Sequence, residues 1–345
     1  MSVVQRLDRY QRRHRWAGFP ISVGYKFFDD QGNYLAALVT YYGLLSLFPL
    51  LLLLSSLLGF ALEGDPNLQS QILSSTLSQF PVIGEQLRTT AGLQGSGLGV
   101  VIGVLGSLYG GLGVAQAMQN VMNVVWGVPR NRRPNPVLAR VRSLLLLATA
   151  GVAIAGTTVL SALGASASAF GATGIGAGVR ILLTLAAVVV NAGMFLLAFH
   201  IATAADLRWR DSVPGALGAA VAWQILQSFG AFIVGHVLKN ATAVNGVFGL
   251  VLGLLAWLYI AAVVVVLCVE VNVVHTKHLW PRALMTPFTD EVDLTKGDRR
   301  IYSDSAKAQS AKGFENVDVT FDNNGQNASN EGNGGRDPAP VDDQS

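Results

Sequence analysis

Residues Val247–His275 read VFGLVLGLLAWLYIAAVVVVLCVEVNVVH, and Glu270 is the only Asp, Glu, Lys or Arg among them. The hydrocarbon core of a bilayer, about 30 Å thick, takes about 20 apolar residues of helix to cross. With no water available to backbone amides, a crossing segment must be a helix or a strand of a closed barrel. The in-out alternation of a membrane barrel is absent here. The run Val263–Val266 would favour a strand in a soluble protein, but the length of the stretch and its lack of charge outweigh that local preference. Val247–His275 is therefore predicted to be a transmembrane helix.

Outward from it, five more runs pass the same test: Leu35–Leu62, Gly97–Trp126, Ser143–Phe170, Gly178–Ala205 and Val213–Leu238. The composition agrees, with 51% hydrophobic and only 13% charged residues, about half the charged share of an ordinary soluble domain. The expected fold is all-α, a polytopic bundle of six transmembrane helices over residues 35–275. Met1–Arg15 is polar and the first apolar run is too long for a leader, so no cleaved signal peptide is expected.

Cytoplasmic flanks retain Lys and Arg. Before span one, between spans two and three, between four and five and after six there are 21 such residues, against three (Arg88, Arg180 and Lys239) on the alternate side. Without the long tail the division is still 13 to three. Both termini are expected inside. Residues 1–34 form a cytoplasmic segment whose part from Trp16 to Tyr34 mixes aromatic and basic residues, the pattern of an amphipathic surface helix. The outside loop 63–96 carries an amphipathic stretch, Leu68–Leu87, with Pro81 as a helix stop. Residues 276–345 are expected to be a cytoplasmic, largely disordered tail, since beyond Met285 twelve acidic residues face six basic ones and few large apolar groups remain to offset ordering.

The stretch Ala36-Ala-Leu-Val-Thr-Tyr-Tyr-Gly-Leu-Leu-Ser-Leu-Phe-Pro49 resembles the first-helix signature of the YihY/virulence factor BrkB membrane proteins. Asn123 to Pro129 with Trp126-Gly-Val-Pro129, Arg208-Trp-Arg-Asp211 before Pro214-Gly215, and Leu255-Ala-Trp-Leu-Tyr259 followed by Glu270 and Asn272 match in the same order. Phe248-Gly249 departs from the family's usual Tyr-Gly. The resemblance implies a six-helix bacterial inner-membrane protein. It also brings a historical ribonuclease label, generally regarded as an error.

Ionisable or strongly polar groups inside a span are costly and mark candidate sites. Gln116, Gln119, Asn120 and Asn123 recur at i, i+3, i+4, i+7 and share one helical face in the cytoplasmic half of span two. Tyr41 and Tyr42 stand at comparable depth in span one. Asn191 lies mid-way along span four, and Gln224 and Gln227 mid-way along span five. Glu270 and His200 lie at equal depth in spans six and four, which allows them to pair. Within the bundle these residues are expected either to bond one another across helices or to line a polar cavity open to the cytoplasm, with Pro49 kinking span one. Gly99-x-x-x-Gly103, Gly106-x-x-x-Gly110 and Gly249-x-x-x-Gly253 suit close helix packing.

Cys268 has no partner in the chain, and no metal or cofactor motif occurs; His275 and His278 read as interfacial side chains. The net charge of +3 is explained by the membrane rule and does not point to nucleic acid. The functional expectation is a transporter or lipid-handling protein, whose partners are membrane lipids and a lipid or amphipathic solute, with a homo-oligomer allowed. The alternative is a non-transporting envelope scaffold. Ribonuclease activity ranks last, because phosphodiester hydrolysis needs clustered carboxylates with metals or a paired acid and base.

Overall fold

Why the apolar runs become neighbours is visible in the computed structural model, which describes residues 3–61, 97–169, 177–237, 243–286 and 292–321. Among these there is no strand. The helices are α1 (Val3–Arg13), α2 (Arg15–Asp29), α3 (Gly32–Ala61), α4 (Gly97–Val125), α5 (Pro136–Ala169), α6 (Ala177–Ala202), α7 (Trp209–Val237), α8 (Ala243–Lys277) and α9 (Lys296–Ala308). Each of α3 to α8 packs on the next, and α8 returns to α3, closing a ring that α2 joins through α8.

Four helices contain stretches long and apolar enough to cross a membrane among the described residues: Val100–Val125, Pro136–Thr158, Thr184–Ala202 and Val251–Lys277. The remaining two ring helices, α3 and α7, run for 30 and 29 residues. The expected outside helix at Leu68–Leu87 and the turn between spans three and four lie outside the described residues.

Local chemistry sets the helix starts. At α5, Pro136 takes the first helical position, where its missing N–H costs nothing, and Asn135 Oδ1 accepts from the Leu138 N–H at 2.8 Å. At α7 the helix begins at Trp209, so Pro214, expected near the helix start, sits one turn further in. α3 continues through Pro49 without a break in its helical assignment. Helices α3 and α4 pack closely enough that side chains at Gly106 and Gly110 would collide with Pro49 and with the backbone of Ser46. Only the absence of a Cβ permits that approach.

The core gathers at one end of the ring, where α3 and α7 begin and α4, α6 and α8 finish: Ala36, Val121, Met122, Val125, Phe199, Ala220, Val269 and Val273 are all sealed from solvent. Elsewhere large apolar side chains such as Leu105, Val152, Leu182, Val189 and Ile225 face outward. A surface that apolar is unsuited to water and suited to lipid tails.

The tail departs from its expected character in one part. Lys296–Ala308 is a helix with a capping box, in which Thr295 Oγ1 accepts from the Asp298 N–H and Asp298 accepts from the Thr295 N–H. Residues 322–345 lie outside the described ones.

Candidate ligand chamber

At the packed end, α2, the last turns of α4, the Gly127–Arg133 loop, the end of α8 and one face of α9 enclose a chamber of about 430 Å³. Gly127 makes the turn out of α4 with φ of +65°, a conformation glycine adopts without penalty. The loop then places Arg130 and Arg133 on the chamber wall, which Asp304 and Ser305 of α9 and the following Gln309 also line.

Lys26 forms the floor. Its ammonium, with the side chain almost entirely buried, is bonded to Asp30, donates to the Val125 carbonyl at 3.1 Å and lies 3.8 Å from the Glu270 carboxylate. Glu270 is fully sealed, and neither of its oxygens has a hydrogen-bond partner among the described residues. Burial opposes the charge on Lys26, but Glu270 and Asp30 outweigh it and hold its pKa above the ordinary lysine value. Burial pushes the Asp30 carboxyl above the usual carboxylate range, against the pull of Lys26. Two carboxylates share one ammonium here.

The other charges on the wall are matched in pairs. Lys277 donates to Asp304 at 2.8 Å and to the Trp126 carbonyl at 3.0 Å. Asp29 receives Arg282 at 2.8 Å, and Arg282 is itself buried and bonded to Asp298. Arg133 instead donates to the Val128 carbonyl at 3.3 Å and to Asn120 Oδ1 at 3.5 Å. Its pKa is lowered by burial and by the neighbouring Arg130 charge.

The residues expected to line one cavity are dispersed. Asn120 is on the chamber wall and Glu270 lies beneath it, behind Lys26. Gln119 is buried and donates to Ala139 O and Ser143 Oγ, tying α4 to α5. Asn123 is buried and accepts from the Ala204 N–H at 3.0 Å, tying α4 to the end of α6. Gln116, at the edge of the same stripe, is exposed. Tyr41 is 60% exposed while Tyr42 is half-buried beside it, with ring centroids 5.2 Å apart. Asn191 is buried within α6, and Gln224 and Gln227 are half-buried on α7.

His200 does not meet Glu270. It stacks on Trp209 at 4.1 Å in a second, more open cleft of about 590 Å³ with Arg142, Thr203 and Arg208. Among the described residues no group of three His, Cys, Asp or Glu is placed to hold a metal. His275 and His278 pack near the rings of Phe19 and Trp280.

Sequence reasoning missed Lys26, Asp30, Arg130, Arg133 and Lys277. One signal was present: Lys26 is the only lysine before Lys239, and an aspartate follows four residues later.

A ring of long apolar helices, sealed at one end around buried charges, defines a helical membrane-bundle protein. The chain belongs to the virulence factor BrkB family, which it matches over residues 23–287. It is 29% identical over 215 residues to a UPF0761 membrane protein of Aromatoleum aromaticum, covering 61% of this chain and 49% of that one. It is 24% identical over 249 residues to a protein of Bacillus subtilis named as ribonuclease-like, YfkH, covering 70% of this chain and 89% of that one. The chain thus spans about half the length of the first of these relatives. No solved structure matches.

Proposed function

We propose that this chain is a transporter or lipid-handling protein of the bacterial inner membrane. It crosses the membrane six times with both ends in the cytoplasm, and the chamber opens inward. The observation that carries this reading is the buried Lys26–Asp30–Glu270 cluster beneath an accessible polar chamber, since charge kept at such cost inside a membrane bundle marks a pathway or relay by default. The orientation is supported by the way basic segments gather at the chamber end: the 130–133 loop bonds to the tail through Asn131 and Ser310, and Arg142 reaches the Thr203 carbonyl. Membrane lipids and a lipid or amphipathic solute are the partners in this reading, which leaves room for a homo-oligomer and involves no nucleic acid.

Replacing Glu270 and Asn120 together by Leu is expected to lower lipid or solute movement in proteoliposomes at least tenfold; unchanged movement removes both residues from the mechanism. The scaffold reading draws on Gln119 and Asn123, both consumed in ties to neighbouring segments. It expects no movement from the wild-type protein either. We read the chain as no enzyme: Asp29, Asp30 and Asp304 are each held by a basic side chain, whereas metal-assisted hydrolysis of a phosphodiester calls for carboxylates that hold metals.

A further inference from the structure

We propose that Arg130 and Arg133 form an anion subsite in the chamber, one that takes a phosphate-bearing ligand. The inference rests on the reading of the chamber as a ligand cavity and names the chemistry of what enters it. Every carboxylate on the chamber wall is already bound: Asp30 to Lys26, Asp304 to Lys277, Asp29 to Arg282. Neither Arg130 nor Arg133 has a carboxylate partner among the described residues, and the two stand on the same wall.

Of the five N–H donors of a guanidinium, Arg133 spends two, on the Val128 carbonyl and on a long contact to Asn120. Arg133, half-buried beside the exposed Arg130, is repelled by that neighbouring charge until an anion lies between them. A planar fork of donors suits phosphate oxygens in particular. Ser305 of α9 and Gln309 just beyond it line the same chamber and bring further polar groups to it. At about 430 Å³ the chamber has the size of a small-molecule pocket. It accommodates a phosphate ester or a phospholipid headgroup, with acyl chains left outside.

Both sources share the phosphate, and two assays on the full chain in phosphatidylcholine nanodiscs separate them. Glycerol 3-phosphate is titrated by calorimetry, and retention of phosphatidic acid doped into the discs is counted by native mass spectrometry. Arg130→Gln/Arg133→Gln is expected to weaken binding at least tenfold. Arg130→Lys/Arg133→Lys, which keeps the charge, is expected to retain part of it and shows that the folded chamber survives substitution. Arg208→Gln/Arg210→Gln, with equal loss of charge outside the chamber, is expected to bind as wild type.

Binding of the soluble ester alone assigns a solute, and binding of phosphatidic acid alone assigns a headgroup. Equal binding by wild type and the double Gln variant, binding of neither probe, or an equal loss in the Arg208/Arg210 variant overturns the subsite. Wild-type protein that binds phosphate and moves nothing in proteoliposomes keeps the subsite and overturns the transport reading; movement without phosphate binding does the reverse.

Discussion

Two arginines near the same chamber are held in opposite ways. Arg282 is completely buried and answers two carboxylates, Asp29 and Asp298, at 2.8 and 2.5 Å. Its backbone carbonyl is taken by Gln11 of α1, and Tyr25 of α2 donates to the Leu284 carbonyl at 2.8 Å. Arg133 is half-buried, meets only neutral acceptors and faces another arginine. A guanidinium whose partners are supplied by the chain is a fastening. One that lacks an acidic partner is available to something else.

The sharpest way to break this contrast is Arg282→Ala. Removing one member of a buried, bonded ion cluster leaves carboxylates without a cation and costs about 3–5 kcal/mol. The expected readouts are a lowered thermal midpoint in detergent and protease cleavage that frees α9. Survival of both would place Arg282 in the same class as Arg133.

Lys26→Met comes next, at roughly 3 kcal/mol near neutral pH, with a pH dependence set by Asp30. Burial has raised the Asp30 pKa. The stability contributed by its protonated form is therefore fully present below the unfolded value near 4 and lost as pH rises through the folded value. Without the ammonium that loss grows, so the Lys26→Met deficit should shrink on acidification. A further Glu270→Leu change should recover part of it. A deficit that ignores both pH and the second substitution would show that Lys26 acts by packing alone.

Smallest is Arg133→Gln, expected to change the thermal midpoint by the equivalent of under about 0.5 kcal/mol, as for surface positions without a committed partner. A loss several times larger would make Arg133 a fastening too.

The apolar runs were legible because length and absence of charge report directly on a membrane, and each lies almost wholly within a helix of the ring. Helix α9 was hidden by averaging. The region after Met285 is acidic as a whole, but five of its six basic residues fall between Lys296 and Lys312, and the Thr295-x-x-Asp298 cap pattern stood in plain view. Glu270 could be found from its cost in a span, and its partner could not. Depth along a helix gives no azimuth, so His200 and Glu270 at one level turn to different neighbours, Trp209 and Lys26. That Lys26, in a segment expected to lie flat on the surface, reaches beneath the bundle is a tertiary fact with no local signal beyond its rarity.

The bond from Gln11 to the Arg282 carbonyl and the pairing of Asp29 with Arg282 join residues 271 and 253 positions apart, so the first member of each pair is made long before the second. Until the ribosome delivers the segment beyond α8, Asp29 waits on a nascent chain without the guanidinium that neutralises it. A product truncated before Arg282 would carry that unpaired carboxylate at the membrane, an unfinished state chemically distinct from the completed protein.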